Sequence, residues 1–149
     1  MSRLSDHALE QHLAAILALL DQYGEATLED IRDQGVPDEE RVVRATVNAP
    51  LDPPHQLALF EYTEIYRRLP DRTWELTYYT YEFQQRPGPG RRAHHWHDGR
   101  HHAHCVDPRH PERDHHYRGV PVSVYEAHSD FAPWYGSARP IDCTGLFPL

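Results

Sequence analysis

The chain has 149 residues and a formal net charge of −8, from 15 basic residues, all of them arginine, against 23 acidic ones. Hydrophobic residues make up 39% of the sequence, which supplies a core and argues against wholesale disorder. The longest apolar run, residues 13–20, is too short to cross a membrane, and no basic segment followed by an apolar one marks a secretory signal. We therefore expect a cytoplasmic protein whose two cysteines are reduced rather than joined in a disulfide.

The N-terminal part, residues 1–54, is predicted to form three small helices. Apolar residues at helical spacing predict an amphipathic helix over 6–23. A capping signal at Thr27 predicts a second helix, and a proline at the first helical position predicts a third over 37–48. This pattern is compatible with a helix-turn-helix that binds DNA. Acidic residues at the start of the third helix favour a helical cap on a sheet instead.

The central part of the chain has the pattern of β-strands. Residues 57–67 and 73–84 are rich in aromatic and β-branched side chains and predict a hairpin. The dipeptide Asp98-Gly99 predicts a second hairpin. Its two-residue turn would pair His97 with Arg100 and His95 with His102.

Beyond this second hairpin, the sequence predicts little regular structure. Residues 107–119 are expected to form a loop and 120–125 a short strand. The proline- and glycine-rich segment 133–149 is expected to be irregular. The predicted fold is therefore α+β: a three-helix, helix-turn-helix-like segment packed on an antiparallel sheet of about four or five strands over 55–132.

Nine of the thirteen histidines lie between His94 and His116. Imidazole changes charge near neutral pH and is also a common metal ligand. Because side chains alternate between the faces of a strand, four of these histidines would share one face of the second hairpin: His95, His97, His102 and His104. Such a set can supply the nitrogen ligands that zinc prefers, so zinc is a candidate cofactor.

A second interpretation is metal-free cleavage of RNA by the segment that follows the hairpin. The 2′-hydroxyl of RNA is the nucleophile, so an enzyme needs a base, an acid and a cation for the phosphate. In this interpretation, His115 and His116 are the acid–base pair. Asp107 and Asp114 are the carboxylates that orient the imidazoles. Arg113 and Arg118 bind the phosphate through bidentate guanidinium contacts.

The stretch CVDPRHPERDHHYRG, residues 105–119, resembles the C-terminal motif of the TumE family of toxin–antitoxin proteins. The interval from Asp107 to Asp114 has the family's spacing, and the tyrosine-rich strand 75–84 is similar as well. The resemblance implies functional roles for Asp107, Asp114 and His115. It further implies a small toxin that acts on RNA or the translation apparatus and is neutralised by an antitoxin with a helix-turn-helix.

Two other classes of function stay open. One is a non-enzymatic regulatory module that binds a metal or a nucleic acid, with its helix-turn-helix at the N-terminus. The other is an interaction module whose arginine- and histidine-rich surface is simply solvated. A homodimer is compatible with each class, and no membrane partner is expected. Cleavage that persists in EDTA would favour the enzyme, and stoichiometric zinc would favour the metal-binding module.

Overall fold

The computed structural model describes residues 3–32, 39–51, 56–97, 99–112, 114–137 and 139–146. In these residues the chain forms two helices and seven strands. The elements in chain order are α1 (Asp6–Asp21), β1 (Thr27–Arg32), β2 (Glu40–Pro50), β3 (Leu57–Arg68), β4 (Trp74–Arg86), β5 (Arg91–His97), β6 (Arg100–Val106), β7 (Asp114–Arg118) and α2 (Val124–Ser137). The prediction of three N-terminal helices on a sheet of four or five strands is wrong.

All the strands belong to one antiparallel sheet with the spatial order β1-β2-β3-β4-β5-β6-β7. Each strand therefore pairs with its neighbours in sequence. We call the face that packs against the helices the inner face. The opposite face, which carries His95 and His102, is the outer face.

The first helix is confirmed, with its end two residues earlier than predicted. Ser5 caps it, because the Ser5 Oγ atom accepts a hydrogen bond of 3.1 Å from the Ala8 amide. Its buried side chains recur every three or four residues, as an amphipathic helix requires. They are Leu9, Leu13, Ile16 and Leu20.

The predicted second and third helices are strands β1 and β2. Burial along β2 alternates strictly, with Val43 and Val47 inside and Val42 facing the other way. Their β-branched side chains suit a strand better than a helix. The alternation is hidden in the sequence because alanines and the buried Arg41 occupy the other inner positions. No helix-turn-helix is present among the described residues of the N-terminal part.

Both predicted hairpins are confirmed. Strands β3 and β4 pair through the turn at 69–73. Strands β5 and β6 pair in the predicted register, with His97 opposite Arg100 and His95 opposite His102. Gly99 has a φ of 72°, the left-handed conformation that this tight turn requires. Asp98 lies outside the described residues.

The C-terminal part differs from the prediction in three places. Residues 114–118 of the expected loop form β7. The expected strand 120–125 is absent from the described chain, and α2 begins at Val124. The expected irregular tail contains the end of this helix, including Pro133. The helix forms because its buried residues follow helical spacing: Val124, Ala127, Phe131 and Trp134.

A disulfide joins Cys105 of β6 to Cys143. The expectation of two reduced cysteines is therefore wrong. The segment after α2 is also held by the buried Gln85 side chain, which donates to the Arg139 carbonyl and accepts from the Ile141 amide. No helix among the described residues is both long and apolar enough to span a bilayer.

Candidate metal centre

Five histidines meet on the outer face of strands β5, β6 and β7. We call His95, His97, His102, His104 and His116 the imidazole cluster. The strand register explains the convergence, because His95 lies opposite His102 and His104 lies opposite His116. Neighbouring rings contact one another, with centroids 4.5 Å apart for His95 and His104 and 4.1 Å apart for His104 and His116.

Three members of the imidazole cluster can hold a metal ion. His95, His97 and His102 each offer one ligand nitrogen, and these atoms lie within 4.8 Å of one another. Two nitrogens bound to one tetrahedral zinc, each at about 2.1 Å, are roughly 3.4 Å apart. Modest side-chain rotations would therefore bring the three nitrogens onto a common ion. Of the four predicted ligands, His104 is the one outside this set, although its ring centroid is 4.8 Å from that of His102.

The local electrostatics favour neutral imidazoles in the centre of the imidazole cluster. Burial, together with the neighbouring histidines, lowers the pKa of His102. The same causes lower the pKa of His104 to about 4. Because only a neutral imidazole has a lone pair for a metal, this environment keeps the ring nitrogens of His102 and His104 available as ligands at neutral pH.

The carboxylate of Glu82, on the neighbouring strand β4, lies beside the imidazole cluster. Glu82 Oε1 is 3.5 Å from His95 Nε2 and also forms an ion pair with Arg91. Burial raises the pKa of Glu82, but the nearby His95 and the hydrogen bond from Arg91 outweigh it and set the pKa at about 2. A carboxylate beside a metal-binding imidazole orients the ring and raises its basicity. Sequence reasoning overlooked Glu82 because it lies on a different hairpin.

The predicted catalytic segment is only partly brought together. Asp107 accepts two hydrogen bonds from the guanidinium of Arg109, at 3.0 and 2.7 Å, and a third from its amide. These bonds hold its carboxylate within its own turn. By contrast, His116 is exposed on the outer face and joins the imidazole cluster.

The structure describes only part of the remaining predicted catalytic set. Arg118 is exposed and lies opposite His102 in the register. The backbones of Asp114 and His115 are in β7. Their side chains, and the whole of Arg113, lie outside the described residues.

A second polar site, on the inner face, was not predicted. The Glu64 side chain is only 4% exposed. It accepts hydrogen bonds from the hydroxyls of Tyr66 and Tyr81, at 2.8 and 2.5 Å, and lies 2.8 Å from His12 Nε2. The sequence contained a signal for this site, because Glu64 occupies an inner position of a strand whose other inner residues are apolar or aromatic: Ala58, Phe60, Tyr62 and Tyr66.

The His12–Glu64 pair predicts a pH-dependent term in stability. Burial lowers the pKa of His12, but the hydrogen bond and charge of Glu64 outweigh it, so the pKa lies above its ordinary 6.5. The protonated form is thus favoured in the folded state. Its contribution should be complete below about pH 6.5 and lost as the pH rises through the folded-state pKa.

Urea denaturation of the wild type and of the His12→Gln variant between pH 5 and 8 tests this. The difference in their free energies of unfolding should be largest at pH 5 and shrink towards pH 8. His7→Gln is the control, because His7 is exposed on the same helix. A His12→Gln difference that does not vary with pH would contradict the prediction.

No protein-family model, no curated protein and no solved structure matches this chain. The resemblance to the TumE family, with the RNA and antitoxin partners that it implies, therefore stays a prediction.

Proposed function

We propose that this protein binds a transition-metal ion of the zinc class through His95, His97 and His102. The observation that carries the proposal is the placement of their three ligand nitrogens within 4.8 Å. Imidazole nitrogens suit zinc, copper and nickel and are poor ligands for magnesium or calcium. Three protein ligands leave a position for water or for a substrate. A bound metal ion would thus keep one coordination position that water or a substrate can occupy.

The surroundings of the three histidines support this assignment. Glu82 supplies a carboxylate beside His95, the arrangement that orients ligating imidazoles in metal sites. Strands, rather than a loop, carry all three ligands. The hydrogen-bonded register between β5 and β6 therefore fixes the separation of the ligands before any ion arrives.

Untagged protein and a chromophoric zinc chelator test the proposal by competition. We expect one tightly bound zinc per chain and an affinity at least about tenfold lower in His102→Gln, since that change removes one of three ligands. Acidification should release the ion because protons compete for imidazole.

His110→Gln provides the control for this titration. His110 is an exposed histidine on the loop between β6 and β7, and its loss should change the affinity less than twofold. An equal loss of affinity in the two variants would show that zinc merely binds histidines scattered over the surface. That result, or the absence of stoichiometric zinc, would overturn the proposal.

A specific contact favours metal-free cleavage of RNA as a second candidate function. The exposed His116 ring packs against His104, with centroids 4.1 Å apart, and Arg118 follows two residues later on β7. Two imidazoles and a guanidinium are the groups that this chemistry needs. The contact supports a pairing of His116 with His104 as acid and base.

Cleavage of a defined single-stranded RNA in excess EDTA tests this second function. Activity should persist in EDTA and fall at least about a hundredfold in His116→Ala, as expected for loss of a general acid or base. His110→Ala is the matched exposed control and should retain activity. Failure to cleave RNA, or equal activity in both variants, would rule this function out without affecting the zinc titration.

A further inference from the structure

A cavity of about 310 Å³ lies on the inner face of the sheet, separate from the imidazole cluster on the outer face. Strands β3 and β4 form its floor, and the segment leading into α2 forms one wall. Part of the lining is apolar, through Leu4, Leu76, Val122 and Val124. A cavity of this size and lining accommodates a small organic molecule rather than a polymer.

The polar end of this cavity is the buried carboxylate of Glu64. Burying a carboxylate is costly unless hydrogen bonds or a counter-charge compensate it. Two tyrosine hydroxyls and His12 supply that compensation. Glu64 therefore places a hydrogen-bonded carboxyl group where an apolar residue would otherwise extend the core.

A second carboxylate lies at the rim of the cavity. Glu126 and Ser123 cap the start of α2: the Ser123 amide donates to Glu126 Oε1 at 3.0 Å, and the Glu126 amide donates to Ser123 Oγ at 3.1 Å. The cap fixes the position of the Glu126 carboxylate among the residues that line the cavity.

The charges that line the cavity sum to a negative value. Among the described lining residues there is no arginine, and the sequence contains no lysine. His12 offsets at most one of the two carboxylates. His101, the other lining histidine, has a pKa lowered by burial, and its Nδ1 atom lies 2.7 Å from the Tyr79 hydroxyl. An anionic ligand would therefore face uncompensated negative charge.

We propose that the inner cavity binds a small organic cation with an apolar or aromatic body. Glu64 and Glu126 provide the attraction for the positive group. The rings of Tyr66, Tyr79 and Tyr81 supply aromatic surface of the kind that binds ammonium groups. This inference does not depend on metal or RNA binding at the imidazole cluster.

Three probes with the same phenol ring and different charge test the proposal by isothermal titration calorimetry in the presence of EDTA. They are tyramine, a cation; 4-ethylphenol, which is neutral; and 3-(4-hydroxyphenyl)propionate, an anion. We expect tyramine to bind at least tenfold more tightly than 4-ethylphenol, and the anion to bind most weakly. Equal affinities, a preference for the neutral or anionic probe, or no binding of tyramine would overturn the proposal.

Charge-neutralising variants locate the binding site. Glu64→Gln should weaken tyramine at least tenfold while changing the affinity for 4-ethylphenol little. Glu61→Gln is the matched control, because Glu61 lies on the same strand and faces the other side of the sheet.

A second variant keeps the test decisive if Glu64→Gln does not fold. Glu126→Gln retains a residue that completes the helix cap, and it should reduce the preference for tyramine over 4-ethylphenol. Unchanged tyramine affinity in Glu126→Gln and in every folded Glu64 variant would overturn the assignment to this cavity.

Discussion

Replacement of Asp130 by alanine is expected to lower the free energy of unfolding by about 3–5 kcal/mol, the cost of leaving a buried charge without its partner. Asp130 on α2 accepts two hydrogen bonds from the guanidinium of Arg92, at 3.0 and 2.8 Å, and a third from His94 Nε2 at 3.0 Å. The Arg92 side chain is only 3% exposed. Removal of the carboxylate would leave this guanidinium buried without the carboxylate that pairs with it, although its Nη1 would still donate to the Asp142 and Thr144 carbonyls.

The acid dependence of stability should reveal the same interaction. Burial raises the pKa of Asp130, but hydrogen bonds from His94 and Arg92 outweigh it, so the pKa lies below its ordinary 3.8. The contribution is therefore complete above about pH 4 and lost as the pH falls through the folded-state pKa. The wild type should lose more stability on acidification in this range than Asp130→Ala.

Chemical denaturation of Asp130→Ala at pH 7 measures the effect directly. Glu75→Ala provides the control, because it removes the partner of Arg67 from an exposed ion pair with side chains 36% and 47% exposed. Such surface pairs contribute at most about 1 kcal/mol. Equal destabilisation by the two variants would show that the buried ion pair of Arg92 contributes no more to the free energy of unfolding than an exposed ion pair does.

Reduction of the Cys105–Cys143 disulfide is expected to lower the free energy of unfolding by about 2–4 kcal/mol. The bond closes a loop with a sequence separation of 38 residues. Opening it enlarges the conformational freedom of the unfolded chain. Cys105 lies in β6 and is fully buried, so the bond also attaches the C-terminal segment to the core.

Denaturation with and without a reductant, on the wild type and on the Cys105→Ser/Cys143→Ser double variant, measures this effect. The reductant should destabilise the wild type and leave the double variant unchanged. An identical denaturation midpoint for oxidised and reduced wild type would contradict the prediction. A reductant effect that persists in the double variant would mean that the agent acts elsewhere.

The sequence predicted the elements that have strong local signals. Helix α1 has an unbroken helical spacing of leucines and isoleucine, and β3 with β4 has dense aromatic and β-branched composition. The tight turn at Gly99 allowed the register of β5 and β6 to be predicted. That register places His95 opposite His102 and so defines the core of the imidazole cluster.

Other elements depend on contacts that local pattern does not encode. The short strand β7 consists of DHHYR, which has no apolar alternation and forms through pairing with β6. Gly119 follows it and passes so close to the His102 backbone that an added Cβ would lie 2.4 Å away. The contribution of His116 to the imidazole cluster therefore depends on this sheet pairing.

The inner site depended on tertiary contacts even more strongly. His12 and Glu64 are 52 residues apart in sequence, and α1 brings them together by packing on the sheet. The sequence did not predict α2, because Pro133 lies within this helix and proline usually interrupts helices. Because α2 was not predicted, the sequence could not predict the cavity wall formed by the segment that leads into this helix.

The strand order has a consequence for how the chain assembles. Each strand neighbours the strands next to it in sequence, so successive hairpins can form across short connections, with a small entropic cost for closing each loop. Chains rich in such near-neighbour contacts fold faster than sheets built by long crossovers. We therefore expect strand-by-strand growth of the sheet, with docking of the terminal segments and oxidation of the thiols as later steps.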